Sequence, residues 1–138
     1  MYTETIKFTD FNGNACTEKH SFNLTKAELL KLEATTKGGY AGYVQAAMDA
    51  QDSAKLWNII EELIAKSYGV KSADGRRFIK NQEVLDNFIQ TEAYSELIMK
   101  YLGDADAFAN FINGVIPSDL AKQVAEMKDK PVIEVAGN

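Results

Sequence analysis

The segment HSFNLTKAELLKL at residues 20–32 decides the fold, because the spacing of its apolar residues changes partway along it. Up to Leu24, apolar and polar residues alternate, which is the two-residue period of a half-buried strand. Beyond Thr25, the leucines follow the three- and four-residue spacing of a helix. Thr25 and Glu28 also have the spacing of a capping box, in which each side chain bonds to the backbone of the other residue. The sequence therefore predicts a strand that ends at Leu24 and a helix with Thr25 as its N-cap.

The residues before this segment predict a β-hairpin over residues 3–24. A first alternating run contains Ile6 and Phe8, and Asn12-Gly13-Asn14 after it is a turn signal. A two-stranded hairpin alone is only marginally stable in water. We therefore expect its apolar face to pack on helices or to pair with another subunit.

The remainder of the chain predicts a series of short helices, because capping residues mark their starts and glycine or proline marks their ends. The predicted starts or N-caps are Thr25, Tyr40, Asp52 or Ser53, Asn81, Thr91, Asp104 and Pro117. The predicted breaks are Gly38-Gly39, Gly69, Asn113-Gly114 and Pro131. The clearest apolar stripe belongs to the third helix and consists of Leu56, Ile59, Ile60, Leu63 and Ile64. The polar residues 70–80 predict a loop with its turn at Asp74-Gly75.

These elements predict an α+β fold, predominantly α, in which the N-terminal β-hairpin packs on a bundle of about six to seven short helices. A chain of 138 residues has the length of one domain. We expect that domain over residues 1–131, with the helical region at 25–128 and a flexible tail at 132–138. Trp57 and Phe88 lie beside the predicted apolar stripes, so we expect both rings to stabilise the core if they are fully buried; the alternative for Trp57 is a position at the edge of its stripe.

The composition is that of a globular protein in a reducing compartment. Hydrophobic residues make up 46% of the chain and charged residues 25%, with a formal net charge of -5. A single cysteine, Cys16, excludes an intramolecular disulfide. No signal-peptide pattern opens the chain, and no apolar run reaches the roughly 18 to 20 residues of a membrane span. We expect a cytosolic protein that binds neither nucleic acid nor membrane, because phosphate neutralisation requires a surplus of Lys and Arg.

The sequence offers no recognisable catalytic or metal site. One histidine and one cysteine cannot supply the ligands of a zinc site. On one extended strand, Cys16 and His20 would stand roughly 13 Å apart, too far for a nucleophile–base pair. A half-buried thiol and a surface imidazole are the favoured interpretation. Asp104-Ala105-Asp106 lacks the glycine and glutamate that complete a calcium loop, so Asp104 is expected to cap a helix. We expect no enzyme activity, no cofactor and no metal.

Positive charge is concentrated between residues 66 and 80. The five cations of this segment are Lys66, Lys71, Arg76, Arg77 and Lys80. With Asp74 they give the segment a charge of +4, so the total of -5 leaves -9 on the remaining residues. One interpretation is a solvated loop that pairs with carboxylates of its own domain. The other is a partner-binding surface for an acidic protein or for an acidic face of a second copy.

Four stretches resemble the tail assembly chaperones of long-tailed (siphovirus-type) bacteriophages and prophages of Gram-positive bacteria. They are KSYG at residues 66–69, SADGRRFIK at 72–80, QTEAYS at 90–95 and FING at 111–114. The resemblance implies a non-enzymatic protein that binds and solubilises the tape measure protein, helps to recruit the tail tube protein and self-associates. It further implies action in the host bacterial cytoplasm and absence from the mature virion. It carries over no catalytic residue.

Two other classes remain open at this point. One is a small virion structural protein of the head–tail connector or tail completion type, in which the same domain would stay in the particle. The other is a host cytosolic adaptor domain unrelated to phage. A tape measure gene immediately downstream would favour the chaperone.

Overall fold

The computed structural model describes residues 1–117, 119–120, 122 and 125–126. The elements in chain order are β1 (Tyr2–Thr9), β2 (Ala15–Phe22), α1 (Lys26–Thr35), α2 (Tyr40–Ala50), α3 (Ser53–Ser67), β3 (Tyr68–Lys71), β4 (Phe78–Ile79), α4 (Gln82–Ile89), α5 (Glu92–Gly103) and α6 (Ala105–Val115). The predicted α+β fold with a predominance of helix is confirmed. The predicted helix after Pro117 falls only partly on described residues, and the predicted tail at 132–138 lies outside them.

The N-terminal hairpin is confirmed as the first half of a four-stranded antiparallel sheet of order β1-β2-β3-β4. Its register runs from Tyr2 opposite Phe22 to Thr9 opposite Ala15. The turn is closed by the Asp10 carboxylate, which accepts the backbone N–H groups of Asn12 and Asn14 at 2.9 and 2.8 Å. The inner face of this hairpin packs on helices and carries the buried Glu4 beside Ile6 and Phe22, whereas the outer face is exposed.

The predicted loop at residues 70–80 is wrong, because this segment is a second β-hairpin. β3 and β4 pair with each other, and β3 joins β2 through Ser21 opposite Gly69 and Phe22 opposite Tyr68. Gly69, interpreted as a helix stop, lies inside β3, and α3 ends two residues earlier at Ser67. Strands of four and two residues are too short to show an alternating pattern, so sequence periodicity could not reveal them. The predicted turn does lie at Asp74 and Gly75.

Most predicted helix starts are confirmed by capping bonds. The Thr25 hydroxyl accepts the Glu28 N–H at 3.2 Å, and the Glu28 carboxylate accepts the Thr25 N–H at 2.9 Å, which completes the capping box. The other side chains that cap a helix start are Asp52, Asn81, Thr91 and Asp104. The predicted end of α6 at Asn113-Gly114 is early, since the helix continues to Val115.

Aromatic rings form the centre of the core. Phe88 stacks on Tyr68 with centroids 4.2 Å apart, and Phe22 meets Phe111 edge-on at 5.3 Å. Phe111 in turn stacks on Tyr101 at 4.9 Å. Because Phe22 belongs to β2, Tyr68 to β3 and the other three rings to α4, α5 and α6, this cluster joins the sheet to the C-terminal helices.

The apolar stripe of α3 is confirmed: Ile59, Ile60, Leu63 and Ile64 are buried and Leu56 is half-buried. Phe88 is 2% exposed, as expected for a core ring. Of the two alternatives for Trp57, the edge of the stripe is correct and the buried position is wrong, because the residue is 47% exposed. Trp57 follows Leu56 by one position, and each residue turns the helix by about 100°. Its ring therefore lies at the edge of the stripe and not at its centre.

Candidate partner-binding surfaces

The turn of the second hairpin is held in one geometry by its own polar residues. The Ser72 hydroxyl donates to the Asp74 carboxylate at 2.7 Å and accepts the Arg77 N–H at 3.0 Å. The Asp74 carboxylate also accepts the Arg76 N–H at 3.0 Å. The hydrogen bond from Ser72, followed by that from Arg76, holds the pKa of Asp74 below its ordinary value. Gly75 has a φ of 74°, which favours glycine at this position. The turn is therefore well defined although it is exposed.

Three of the five predicted partner-binding residues, Lys71, Arg76 and Arg77, lie together on this turn, which we name the basic turn. All three are exposed. The ion pairs in the described part of the chain are His20–Glu18, Lys80–Glu28 and Lys100–Glu4, so none uses these cations. The basic turn thus presents three exposed cations beside the Asp74 carboxylate that closes it.

Lys80 has a different role. Its ammonium group donates to both carboxylate oxygens of Glu28 at 2.8 Å and to the backbone oxygens of Asn23 and Lys66 at 3.0 and 3.1 Å. Burial alone raises the pKa of Glu28, but the hydrogen bonds from Lys80 and Thr25 outweigh it and hold the pKa below its ordinary value. Lys80 therefore anchors the second hairpin to α1. Lys66 is exposed at the end of α3, beside this anchor and apart from the basic turn.

A pocket at the tip of the N-terminal hairpin was not predicted from the sequence. It has a volume of about 220 Å³ and is lined by Phe8, Asp10, Phe11, Cys16, Glu18, Thr91 and Glu92; we name it the Phe11 pocket. The Phe11 side chain is 77% exposed, which is unusual for an aromatic ring. The sequence signal that could have indicated this pocket is the phenylalanine directly before the Asn12-Gly13-Asn14 turn.

Cys16 and His20 have separate partners, in agreement with the expectation that they form no nucleophile–base pair. The Cys16 thiol lies 3.7 Å from the Asp10 carboxylate, and burial together with this charge raises the pKa of the thiol. His20 is bound by the Tyr68 hydroxyl and by the Glu18 carboxylate, each at 3.0 Å, and packs on Phe88. The expected surface imidazole is wrong, since only 14% of the His20 side chain is exposed.

The buried carboxylate of Glu4 links the N-terminal hairpin to α5. Glu4 is 8% exposed, and its carboxylate accepts hydrogen bonds from the Tyr101 hydroxyl at 2.7 Å and from the Lys100 ammonium group at 3.2 Å. Burial and the Glu4 carboxylate raise the pKa of Tyr101, so the hydroxyl stays protonated as a donor. These paired groups stabilise the contact between β1 and α5. Among the described residues, no group of three or more His, Cys, Asp or Glu side chains could hold a metal ion.

The structure is a small, predominantly helical α+β domain with an exposed basic turn. The chain matches the sequence model of the phage tail assembly chaperone family over residues 1–136, and it therefore belongs to that family. No curated protein and no solved structure matches it. No helix within the described ranges is both long and apolar enough to cross a membrane.

Family membership confirms the resemblance carried by the four sequence stretches. The protein is a phage tail assembly chaperone, an assembly factor with protein partners. The siphovirus type and the Gram-positive host stay predictions.

Proposed function

We propose that this chaperone binds the tape measure protein during tail assembly, keeps it soluble and helps to recruit tail tube subunits. The observation that carries the proposal is the match to the tail assembly chaperone family over residues 1–136. A long helical protein with an apolar face aggregates unless that face is covered. A domain of 15.3 kDa covers only a short length of such a protein, so several copies must bind one tape measure chain.

The exposed aromatic residues of α2 and α3 support a contact with an apolar helix. Trp57 is 47% exposed and Tyr43 36%, and the Lys55 ammonium group lies 5.9 Å from the Tyr43 ring centroid. Tryptophan and tyrosine are enriched among residues that dominate binding energy. The Trp57 ring lies outside the buried apolar stripe of α3 and is therefore accessible to a partner. We propose that it inserts into the apolar face of the tape measure helix.

Co-expression tests this function. The tape measure protein alone should be insoluble, and the wild-type chain should turn it into a soluble complex that contains several copies of the chaperone. Trp57→Ala should lower the yield of soluble complex by at least about tenfold, since truncating one central aromatic contact costs roughly 2 kcal/mol. Met99→Ala is the matched control, because Met99 is 62% exposed on α5 and outside the proposed contact. A tape measure protein that stays insoluble with the wild-type chain would contradict the proposal.

We also propose that the protein acts in the host cytoplasm and leaves before the virion is complete. Mass spectrometry of purified virions should detect no stoichiometric amount of it. Stoichiometric incorporation would instead favour the virion structural protein of the connector or completion type.

Among the predicted partner-binding residues, the basic turn is proposed to dock an acidic protein surface, whereas Lys80 holds the hairpin in place. Charge complementarity supports this proposal, because the body of the chain is strongly acidic and local patches of opposite sign allow neighbours to meet. We further propose that the chain self-associates while it coats its partner.

A further inference from the structure

We propose that two copies of this chain associate by inserting the basic turn of each copy into the Phe11 pocket of the other. The inference rests on the self-association in the proposed function and names the surfaces that produce it. Its occupant is a second copy, because one chain carries both a basic projection and an acidic, aromatic receptor, and no ion pair among the described residues joins the two.

The charges of the two surfaces are complementary. The Phe11 pocket carries three carboxylates, Asp10, Glu18 and Glu92, whereas the basic turn carries three cations and one carboxylate, Asp74. The hydrogen bond from the Asn14 backbone, with burial opposing it, holds the pKa of Asp10 below its ordinary value, so this carboxylate is ionised at neutral pH. One oxygen of Glu18 bonds to His20, which leaves its other oxygen open, and none of the described ion pairs uses Glu92.

The aromatic ring adds a second element of recognition. A guanidinium group stacks on an aromatic face, and an arginine can bind a carboxylate through two parallel hydrogen bonds at the same time. Phe11 offers such a face beside the carboxylates, because its side chain is 77% exposed. The hydrogen bonds from the Asn12 and Asn14 backbone N–H groups to the Asp10 carboxylate hold the turn of the N-terminal hairpin, and the bonds around Ser72 hold the basic turn. Little conformational freedom is therefore lost when the two surfaces meet.

The sheet topology makes the contact reciprocal. β2 and β3 are antiparallel, so the N-terminal hairpin and the second hairpin direct their turns toward the same end of the sheet. Pairing between β2 and β3 is limited to Ser21 and Phe22, and the two hairpins are not paired beyond that point. No ion pair among the described residues joins the basic turn to the Phe11 pocket within one copy. When two copies face each other across a two-fold axis, the basic turn of each copy enters the Phe11 pocket of the other, so the same contact forms twice.

The test uses the purified chain alone and measures its mass by sedimentation equilibrium. The wild-type chain should dimerise, and the dissociation constant should rise by at least about tenfold between roughly 50 and 500 mM salt. Arg76→Glu with Arg77→Glu should weaken dimerisation by at least about tenfold, and so should Glu18→Lys with Glu92→Lys. The matched control is Lys7→Glu with Lys19→Glu, which reverses two exposed charges on the outer face of the N-terminal hairpin and should leave dimerisation unchanged.

A mixture of the two charge-reversed variants provides the decisive measurement. Each variant alone brings like charges together, whereas the mixture restores opposite charges at both contacts and should form a heterodimer. Phe11→Ser should weaken dimerisation without lowering the melting temperature, because the ring lies outside the core. Circular dichroism confirms that each variant is folded.

Three outcomes overturn the inference. They are a wild-type chain that stays monomeric at about 100 µM, a basic-turn variant that dimerises normally at low salt, and a variant mixture that does not associate. If the basic-turn variant dimerises normally but fails to solubilise the tape measure protein, the basic turn docks the tape measure protein instead. Loss of dimerisation with retained solubilisation supports the inference and separates it from tape measure binding.

Discussion

The two hairpins of the sheet are stabilised in different ways. The N-terminal hairpin has two strands of eight residues that pair along their full length, and its inner face contributes Ile6 and Phe22 to the core. The second hairpin has strands of four and two residues, so it depends on side-chain contacts in addition to its few backbone hydrogen bonds. Lys80 bonds it to α1, and Tyr68 stacks on Phe88. A long strand is therefore specified by its own alternation, whereas a short strand is specified by what it contacts.

Two of the four stretches that resemble the family form the second hairpin. KSYG and SADGRRFIK, at residues 66–69 and 72–80, cover nearly all of the second hairpin. Ser72 and Asp74 close its turn, and Lys80 anchors its end. FING, at 111–114, ends in Gly114, where a Cβ atom would collide with the Tyr2 ring of β1. Several of these residues therefore maintain turns and packing, whereas Arg76 and Arg77 of the basic turn are exposed.

The largest expected effect comes from Phe88→Ala, because this ring packs on both hairpins through His20 and Tyr68. The substitution should lower the free energy of unfolding by about 3 to 5 kcal/mol, measured by urea denaturation. Trp57→Ala is the control, since a ring that is 47% exposed should cost no more than about 1 kcal/mol. Equal losses for the two variants would show that Phe88 does not join the hairpins as described.

Gly69→Ala should disturb the second hairpin alone. A Cβ atom at Gly69 would lie 2.6 Å from the Phe78 ring and 2.8 Å from Lys80, so the variant should lose about 1 to 3 kcal/mol. Hydrogen exchange of the Ser72 amide, which donates to the Arg77 oxygen, should accelerate more than exchange in β1.

Gly42→Ala is the matched control for this variant. No atom lies within 4 Å of a Cβ at Gly42, which is inside α2, so this variant should be stabilised by up to about 1 kcal/mol. Uniform acceleration of exchange across both hairpins in Gly69→Ala would mean that they unfold as one unit.

Lys80→Met should have a smaller, pH-dependent effect. At pH 7 we expect a loss of about 1 kcal/mol, because Glu28 is 42% exposed and solvent screens the ion pair. The pKa of Glu28 is lowered in the folded state. The stabilisation from the pair is therefore present above the unfolded carboxyl pKa of about 4.3 and is lost as the pH falls through the folded value.

The difference between wild type and Lys80→Met should consequently narrow below about pH 4. It should not vanish, since the bonds from Lys80 to backbone oxygens do not titrate. Lys71→Met, which removes an exposed lysine of the basic turn, should show no such pH dependence. A Lys80→Met difference that is constant from pH 7 to about pH 3 would contradict the assigned pairing with Glu28.

The smallest expected effect is on the pKa of the aspartates in the two hairpin turns, which are stabilised in the same way. In each, an aspartate accepts hydrogen bonds from the residues it faces: Asp10 chiefly from the Asn14 backbone and Asp74 chiefly from the Ser72 hydroxyl. NMR titration should give both carboxyls a pKa below the ordinary aspartate value. An ordinary value at one of them would identify the turn that is open in solution.

Much of the fold could be predicted because the signals are local. The capping box at Thr25 and Glu28, the caps at Asp52, Asn81, Thr91 and Asp104, and the stripe of α3 each act within one or two helical turns. Much of the candidate site could not be predicted. Charge counting found the basic segment, but only the structure separates Lys80, which is bound to Glu28, from the exposed Arg76 and Arg77.

The amino-acid sequence alone determined where most strands and helices begin, because caps and apolar periodicity are properties of neighbouring residues. It also identified the family, since four short stretches carry that pattern without any knowledge of their contacts. Only the tertiary structure decided that residues 68–79 form a hairpin, that Trp57 is exposed and that Phe11 lies beside carboxylates. The first and the last depend on residues far apart in the chain: β3 pairs with β2 although α1, α2 and α3 lie between them in the sequence, and Glu92 of α5 lines the same pocket as Phe11. Such pairings are set by packing and long-range hydrogen bonds, which leave no periodic pattern in a segment of two to four residues.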